Sequence, residues 1–259
     1  MRVAGRTVLV TGASQGIGAA TAEAAGAAGA HVVLVARDGD ALNALAERIG
    51  RASVLVADLS DAERVRELGE RVLAEVGVPD VLVNNAGVGR WLFLDETPEQ
   101  ELAGMLALPF TAALWLTRAL LPGMRERGSG WVVNVNSPVS RLPIPGATGY
   151  AASRYALRGL TAALRLDLRG TGVGVSEVVP GKVSSRYFAN NPGAQERIPA
   201  IARLIPTVPP ERVAAAVLRA VTAERAEVVL PWQLRAFELA GRLAPGLTSY
   251  LAWRTGTHR

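Results

Sequence analysis

The stretch TGASQGIG, residues 11–18, decides how this 259-residue chain is read. Just before it, TVLVT (7–11) is a β-branched run; just after it comes an Ala-rich helical segment, 16–28. In a strand–loop–helix turn of this kind, Gly12, Gly16 and Gly18 allow a tight path and let backbone N–H groups at the helix N-terminus face an anion. Ser14, Gln15 and Ile17 complete the loop. Glycines alone could serve a plain strand–helix turn. A second strand, HVVLVA (31–36), at the expected distance favours a dinucleotide pyrophosphate.

Outward from this unit the pattern repeats. Candidate strands are SVLVAD (53–58), DVLVNN (80–85), WVVNVN (131–136), GVSEVV (174–179) and AEVVLP (226–231). Several are nearly unbroken apolar runs, as expected of parallel strands buried on both faces. Helical patterns fill the intervals near 40–49, 61–76, 99–127, 150–169 and 210–223. Such alternation predicts an α/β fold: a Rossmann-type, doubly wound, seven-stranded and mainly parallel sheet with helices on both faces. With no Pro/Ser linker and no repeat, residues 1–259 read as a single domain.

Composition narrows the chemistry. The chain is 49% hydrophobic and 20% charged, an ordinary globular balance. It has no cysteine, which excludes disulfides and thiolate catalysis, and its two histidines, His31 and His258, are far apart, so no metal site is expected. The chain enters an apolar strand almost at once and carries no run of about 18 apolar residues, so a soluble, cytoplasmic protein is expected. The net charge of +5 comes from arginines scattered through amphipathic helices, which reads as a solvated surface rather than a nucleic-acid site. Of the 28 basic residues only Lys182 is lysine.

The second strand ends at Ala36-Arg37. An acidic residue there would bind ribose hydroxyls and repel a 2′-phosphate; Arg37 instead offers a forked cation suited to phosphate. NADP(H) is thus favoured over NAD(H), although Arg37 could also be a surface residue, since Gln15 adds no second charge.

Four ordered motifs, TGASQGIG, NNAG at 84–87, Ser137 thirteen residues before Tyr150, and PGKVSS at 180–185, make the chain resemble the short-chain dehydrogenase/reductase family from about residue 5 to 231. The resemblance implies that Gly12, Gly16 and Gly18 cradle the cofactor phosphates and that Asp58 and Leu59 border the adenine. It implies that Asn85, Ala86 and Gly87 line the adenosine side, and that Pro180, Gly181, Val183 and Ser185 surround the nicotinamide, with Ser185 where threonine is usual. Tyr150 maps to the proton donor and Ser137 to the hydroxyl that polarises the carbonyl. Homodimers or homotetramers built on the helices at 99–127 and 150–169 are also implied.

Two positions depart from the family pattern. Its lysine, four residues after the tyrosine, is Arg154 here, and its asparagine, thirteen residues before Pro122, is Pro109. A cation one helical turn from Tyr150 favours the phenolate, and Arg154 keeps that charge. Guanidinium does not exchange protons, so a relay would need water. Pro109 is expected either to keep the family's helix distortion, freeing the Met105 carbonyl, or simply to break the helix. Three readings therefore stand: a working oxidoreductase, a cofactor-binding protein without turnover that serves as sensor or partner-binding module, and a dehydratase or isomerase. Lys182 is either a substitute cation or a solvent-facing side chain.

Trp91, Pro138, Val139, Leu142, Ile144, Pro145, Tyr187 and Phe188 are expected to face the substrate, which points to a small lipophilic ketone, aldehyde or alcohol. Arg141 and Arg186 are near in sequence but form no clear carboxylate pair. Segment 186–208 reads as a substrate lid or a surface connection. Residues 232–259 read as a helical extension split at Pro245-Gly246, packed on the domain or across a subunit interface, with contact to a membrane surface as the weaker alternative.

Overall fold

The computed structural model of the chain describes residues 1–87, 89–185, 187–189, 191 and 193–257, with Ala103 described by its backbone alone. Seven strands form one parallel sheet: β1 (Thr7–Thr11), β2 (His31–Ala36), β3 (Ala52–Val56), β4 (Val81–Asn84), β5 (Gly130–Val135), β6 (Val173–Pro180) and β7 (Glu227–Leu230). Their order is β3-β2-β1-β4-β5-β6-β7, so the direction of winding reverses between β1 and β4. Ligands of such sheets bind outside the carboxyl ends of the strands at that reversal, and the glycine loop lies there. The unbroken apolar runs have the predicted cause: β1, β2, β4 and β5 are buried almost throughout.

Helices α1 (Gly16–Ala27), α2 (Gly39–Ile49) and α3 (Ala62–Glu75) follow the first three strands. Asp38 caps α2 by accepting from the Ala41 N–H, and Asp61 caps α3 by accepting from Glu63 and Arg64. One core layer joins α1 and α7 (Pro210–Thr222) to the sheet; the other places Leu68 and Val72 of α3 against Leu116 and Leu120. Each such leucine, fully buried, contributes about 1.5–3 kcal/mol.

The single helix expected over 99–127 is not formed. Short α4 (Glu99–Leu102) leads through a 3-10 turn and a π turn (Ala107–Thr111) to α5 (Ala112–Glu126). The break lies at Leu108, with φ −125° and ψ 130°. A residue before proline is pushed out of the helical region by the pyrrolidine ring, and Pro109 does this here. The Thr111 hydroxyl donates to the Leu106 carbonyl across the wider turn. The stretch Glu99–Glu126, apolar and long enough to cross a membrane by composition, is therefore not one continuous helix.

After β5 come a 3-10 turn (Pro138–Ser140) and α6 (Thr148–Asp167). The segment after β6 leaves and returns at one place, where Val183 pairs with Val208 and the Val208 N–H donates to the Lys182 carbonyl. Arg186 of that segment lies outside the described residues, as does His258. The C-terminal residues form α8 (Trp232–Leu243) and α9 (Pro245–Thr255), split at the expected proline.

Candidate active site

One cleft of about 1590 Å³ runs from the glycine loop, past the ends of β4 and β5, to the C-terminal helices. Every catalytic and cofactor-site candidate read from the sequence lines it except Gly18. Gly18 is buried beneath the loop, where a Cβ would lie 2.1 Å from the Gly12 carbonyl oxygen. Gly12 itself has φ +66°, a conformation that side chains resist. The Asn85 amide holds this turn by donating to the carbonyls of Thr11 (2.9 Å) and Gly12 (3.3 Å). The Thr11 hydroxyl accepts from the N–H groups of Asn85 and Ala86, which locks the NNAG segment to β1.

The far rim is polar. Arg37 is exposed, and the Asp58 carboxyl is held below its ordinary range, first by the Ser60 backbone N–H and then by the Ser60 hydroxyl and the nearby Arg37 and Arg64. These groups, with the glycine loop, form a cradle that fits an adenine dinucleotide.

Ser137 lies two residues past β5 and caps the next turn, its Oγ accepting from the Val139 N–H. Tyr150, in the first turn of α6, is buried against Trp91, with ring centroids 5.5 Å apart, and against Tyr187 at 6.4 Å. Arg154 is also buried, and its guanidinium carbon lies 4.9 Å from the Tyr150 ring centroid. One guanidinium nitrogen donates to the Val135 carbonyl at 3.1 Å, while Nε is buried without a partner. The cation thus stacks on the phenol, an attraction worth about 2 kcal/mol when desolvated.

The segment after β6 supplies the opposite wall. The Tyr187 hydroxyl accepts from Trp91 Nε1 (3.1 Å) and donates to the Gly89 carbonyl (3.3 Å). Burial, with Tyr150 beside it, pushes the Tyr187 phenol well above its usual range and keeps it protonated. Phe188 stacks edge-on against Tyr187 and Trp91, and Lys182 places its ammonium 5.5 Å from the Phe188 ring centroid. Lys182 is partly buried and lines the cleft with this aromatic contact, an arrangement between the two expected of it.

One expectation about the substrate wall changes, and one holds. Pro145 does not line the cleft; it packs under Gly256, because the C-terminal helices fold over the 141–147 loop. Arg141 does not face the chamber as a carboxylate receptor, because Glu177, Glu227 and Glu238 surround its guanidinium. Burial alone would lower the Arg141 guanidinium; these carboxylates hold it above its ordinary value.

Sequence reasoning missed the other wall. Phe237, Leu243, Leu247 and Leu251 of α8 and α9 line the chamber, and Leu234 is fully buried. Apolar spacing in 234–251 was the available signal, but it does not separate packing on the domain from packing across a subunit interface. Asn136 and Glu177 likewise carry no local sequence signal of the contact they make with each other.

The close approach of Gly89 to Tyr150 makes a first prediction. A Cβ on Gly89 would lie 2.2 Å from Tyr150 Cδ2 and 2.9 Å from Cε2, so the ring must move. Gly89→Ala is expected to lower kcat about 100-fold, the scale of a misplaced reacting group, while the protein keeps its cofactor affinity. Steady-state kinetics beside a fluorescence titration with NADPH would check this.

Comparison with known proteins agrees with this geometry. The family model described as short chain dehydrogenase matches residues 6–196. The chain is 35% identical over 230 residues to the ketoacyl reductase HetN of Nostoc, covering 87% of this chain and 78% of that protein. It is 38% identical over 191 residues to a short chain dehydrogenase of Pseudocercospora fijiensis, covering 71% of this chain and 62% of the relative. It spans only 16% of the glycine betaine reductase ATRR of Emericella nidulans. Among solved structures, a short-chain dehydrogenase from Streptomyces avermitilis superposes with a TM-score of 0.82 at 34% identity, covering 98% of this chain and 97% of that one. An alcohol dehydrogenase from Thermococcus sibiricus, complexed with 5-hydroxy-NADP, superposes with a TM-score of 0.75 at 28% identity, covering 87% and 95%. A relative from Burkholderia phymatum, in complex with NAD, gives 0.83 at 25% identity, covering 95% and 96%. A parallel sheet wound in this order, a glycine loop at its reversal and the Ser137–Tyr150 pair in one cleft agree with the matched family: the chain belongs to the short-chain dehydrogenase/reductase family of NAD(P)-dependent oxidoreductases.

Proposed function

We propose that the protein interconverts a lipophilic ketone or aldehyde and its alcohol with NADP(H). The observation that carries this reading is a single cleft in which the glycine loop, the Ser137 hydroxyl and the Tyr150 phenol adjoin a chamber walled by Trp91, Phe188, Phe237 and Leu247. A bound nicotinamide supplies or accepts the hydride. Ser137 holds the substrate oxygen, and Tyr150 gives the proton to it or takes it back. Arg154 keeps a fixed positive charge against the Tyr150 ring and cannot itself exchange a proton, so water must return the proton to Tyr150. The lid residues Tyr187 and Phe188 and the extension formed by α8 and α9 exclude solvent from the reacting atoms. The catalytic and lid elements belong to one domain, acting in the cytoplasm. Leu114, Tyr155 and Leu166, exposed on α5 and α6, suit a homodimer or homotetramer.

Arg37 supports NADP(H): it stands exposed at the rim, while the adjacent Asp38 carboxylate is engaged in capping α2. Arg37→Ala is expected to weaken NADPH binding about 10–100-fold, the loss of a charge-assisted bidentate contact, and NADH binding by less than about threefold. Isothermal titration with both cofactors would measure it.

Turnover is tested by following NADPH absorbance with a panel of hydrophobic ketones and aldehydes. Loss of absorbance supports the reading. Tight NADPH binding without turnover, together with turnover in an Arg154→Lys, Pro109→Asn double variant, would overturn it in favour of a cofactor-binding protein that has lost the reaction.

A further inference from the structure

A carboxylate buried inside a sheet is costly unless all its oxygens are used. Glu177 is such a group: it sits in the middle of β6, is 2% exposed, and is the one charged residue of that strand. Its Oε1 accepts from Asn136 Nδ2 at 2.6 Å, and its Oε2 pairs with the Arg141 guanidinium. Asn136 and Arg141 are the two ends of the six-residue segment that presents Ser137. Asn136 spends its remaining atoms on the same site. Its Oδ1 accepts from the Ser137 N–H at 3.0 Å, and its Nδ2 also donates to the main-chain carbonyl of Arg154 at 3.2 Å. Arg141 extends the tie to Glu227 of β7 (2.7 Å) and to Glu238 of α8 (2.9 Å), the helix that walls the chamber.

We propose that Glu177 is a positioning residue for the reaction, clamping both ends of segment 136–141 and, through Asn136, fixing the Ser137 main chain relative to α6 at Arg154. It touches neither cofactor nor substrate. An apolar side chain would fill the same place in the sheet at lower desolvation cost, but it could not hold Asn136 and Arg141 together. The inference rests on the reductase reading for its kinetic consequence and on hydrogen bonding alone for its structural one.

The test uses the full chain with Asn136→Ala, Glu177→Leu and Glu177→Gln. The control is Ser176→Ala, which removes buried hydrogen bonds to Trp131 and Arg225 from the opposite face of β6. Without cofactor, amide hydrogen exchange of a peptide spanning 136–142 is expected to speed up about tenfold in Asn136→Ala and Glu177→Leu and to stay unchanged in the control. With NADPH and a turned-over carbonyl, kcat is expected to fall about 10–100-fold in these two variants, the scale of a small misplacement, with KM and NADPH affinity held within about threefold. Glu177→Gln, which keeps an acceptor for Asn136, is expected to recover most of kcat. Melting temperatures separate this from a merely structural role. If Asn136→Ala matches Ser176→Ala in kcat and in exchange at equal loss of melting temperature, the proposal is overturned. Should Glu177→Leu fail to fold, Asn136→Ala decides. Should the wild-type protein turn over no carbonyl, the reductase reading fails and the exchange measurement alone decides the clamp.

Discussion

Tyr150→Phe is expected to reduce kcat by about 10³-fold while leaving NADPH affinity within about threefold, since a positioned general acid contributes about 10²–10⁴-fold. The substitution removes one oxygen and leaves the ring, so the stack with Trp91 and the guanidinium of Arg154 over its face both survive. Loss of rate with binding retained is thus attributable to the proton. A second phenol lies close by, and it sharpens the test. Tyr187 is kept protonated by burial, and its hydroxyl is engaged with Trp91 and the Gly89 carbonyl. Tyr187→Phe is therefore expected to raise KM, by loosening the contact with Trp91 and Gly89, and to lower kcat less than about tenfold, below the range of general-acid loss. If the two variants lose rate equally, Tyr150 is not the unique donor and the assignment by spacing fails. Stopped-flow measurement of the hydride step, with binding followed by fluorescence, distinguishes these outcomes.

Legibility in the sequence varied with the range of the interactions involved. Strands such as HVVLVA were readable because both faces of a central parallel strand are buried, which removes polar residues from the run itself. The glycine loop was readable because its demands are local: a positive φ at Gly12 and a close backbone approach at Gly18. At Pro109 the residue type announced a disturbance, but two forms of it were compatible with the sequence. The preference of Leu108 for extended geometry then divided the expected helix into α4, a π turn and α5. Interactions formed at long separation left no such trace. Arg141 meets Glu238 across 97 residues of chain, and nothing in either local pattern pairs them. Likewise, the apolar positions of α8 and α9 match a helix packed on anything. Only the fold turns Phe237 and Leu251 toward the chamber that Trp91 closes from the other side. The chamber wall is in this sense a tertiary property, whereas the glycine loop is nearly a secondary one.

The glycine loop carries the second large effect. Gly18→Ala is expected to weaken NADPH binding at least about 100-fold and to lower the melting temperature by roughly 5–15 °C, taking about 2–4 °C per kcal/mol in a chain of this size. A Cβ at Gly18 would meet the Gly12 carbonyl oxygen at 2.1 Å and the Asn85 amide nitrogen at 2.7 Å. The first of these is backbone, which no rotamer change can move. Either α1 backs away from the loop, or the Gly12 peptide turns and the Asn85 hydrogen bonds to Thr11 and Gly12 are lost. Overpacking costs about 1–3 kcal/mol, and leaving a buried amide unpaired costs a similar amount. Both outcomes displace the N–H groups at the start of α1 from the path of a pyrophosphate, and such contacts fall off steeply with misalignment. Affinity should therefore fall more than stability alone would suggest, and the loss should appear in folded protein well below its melting temperature. Calorimetric titration with NADPH beside a thermal melt reads both. If Gly18→Ala loses stability but binds NADPH within about threefold of the wild type, less than one charge-assisted hydrogen bond is worth, the pyrophosphate does not rest on this loop.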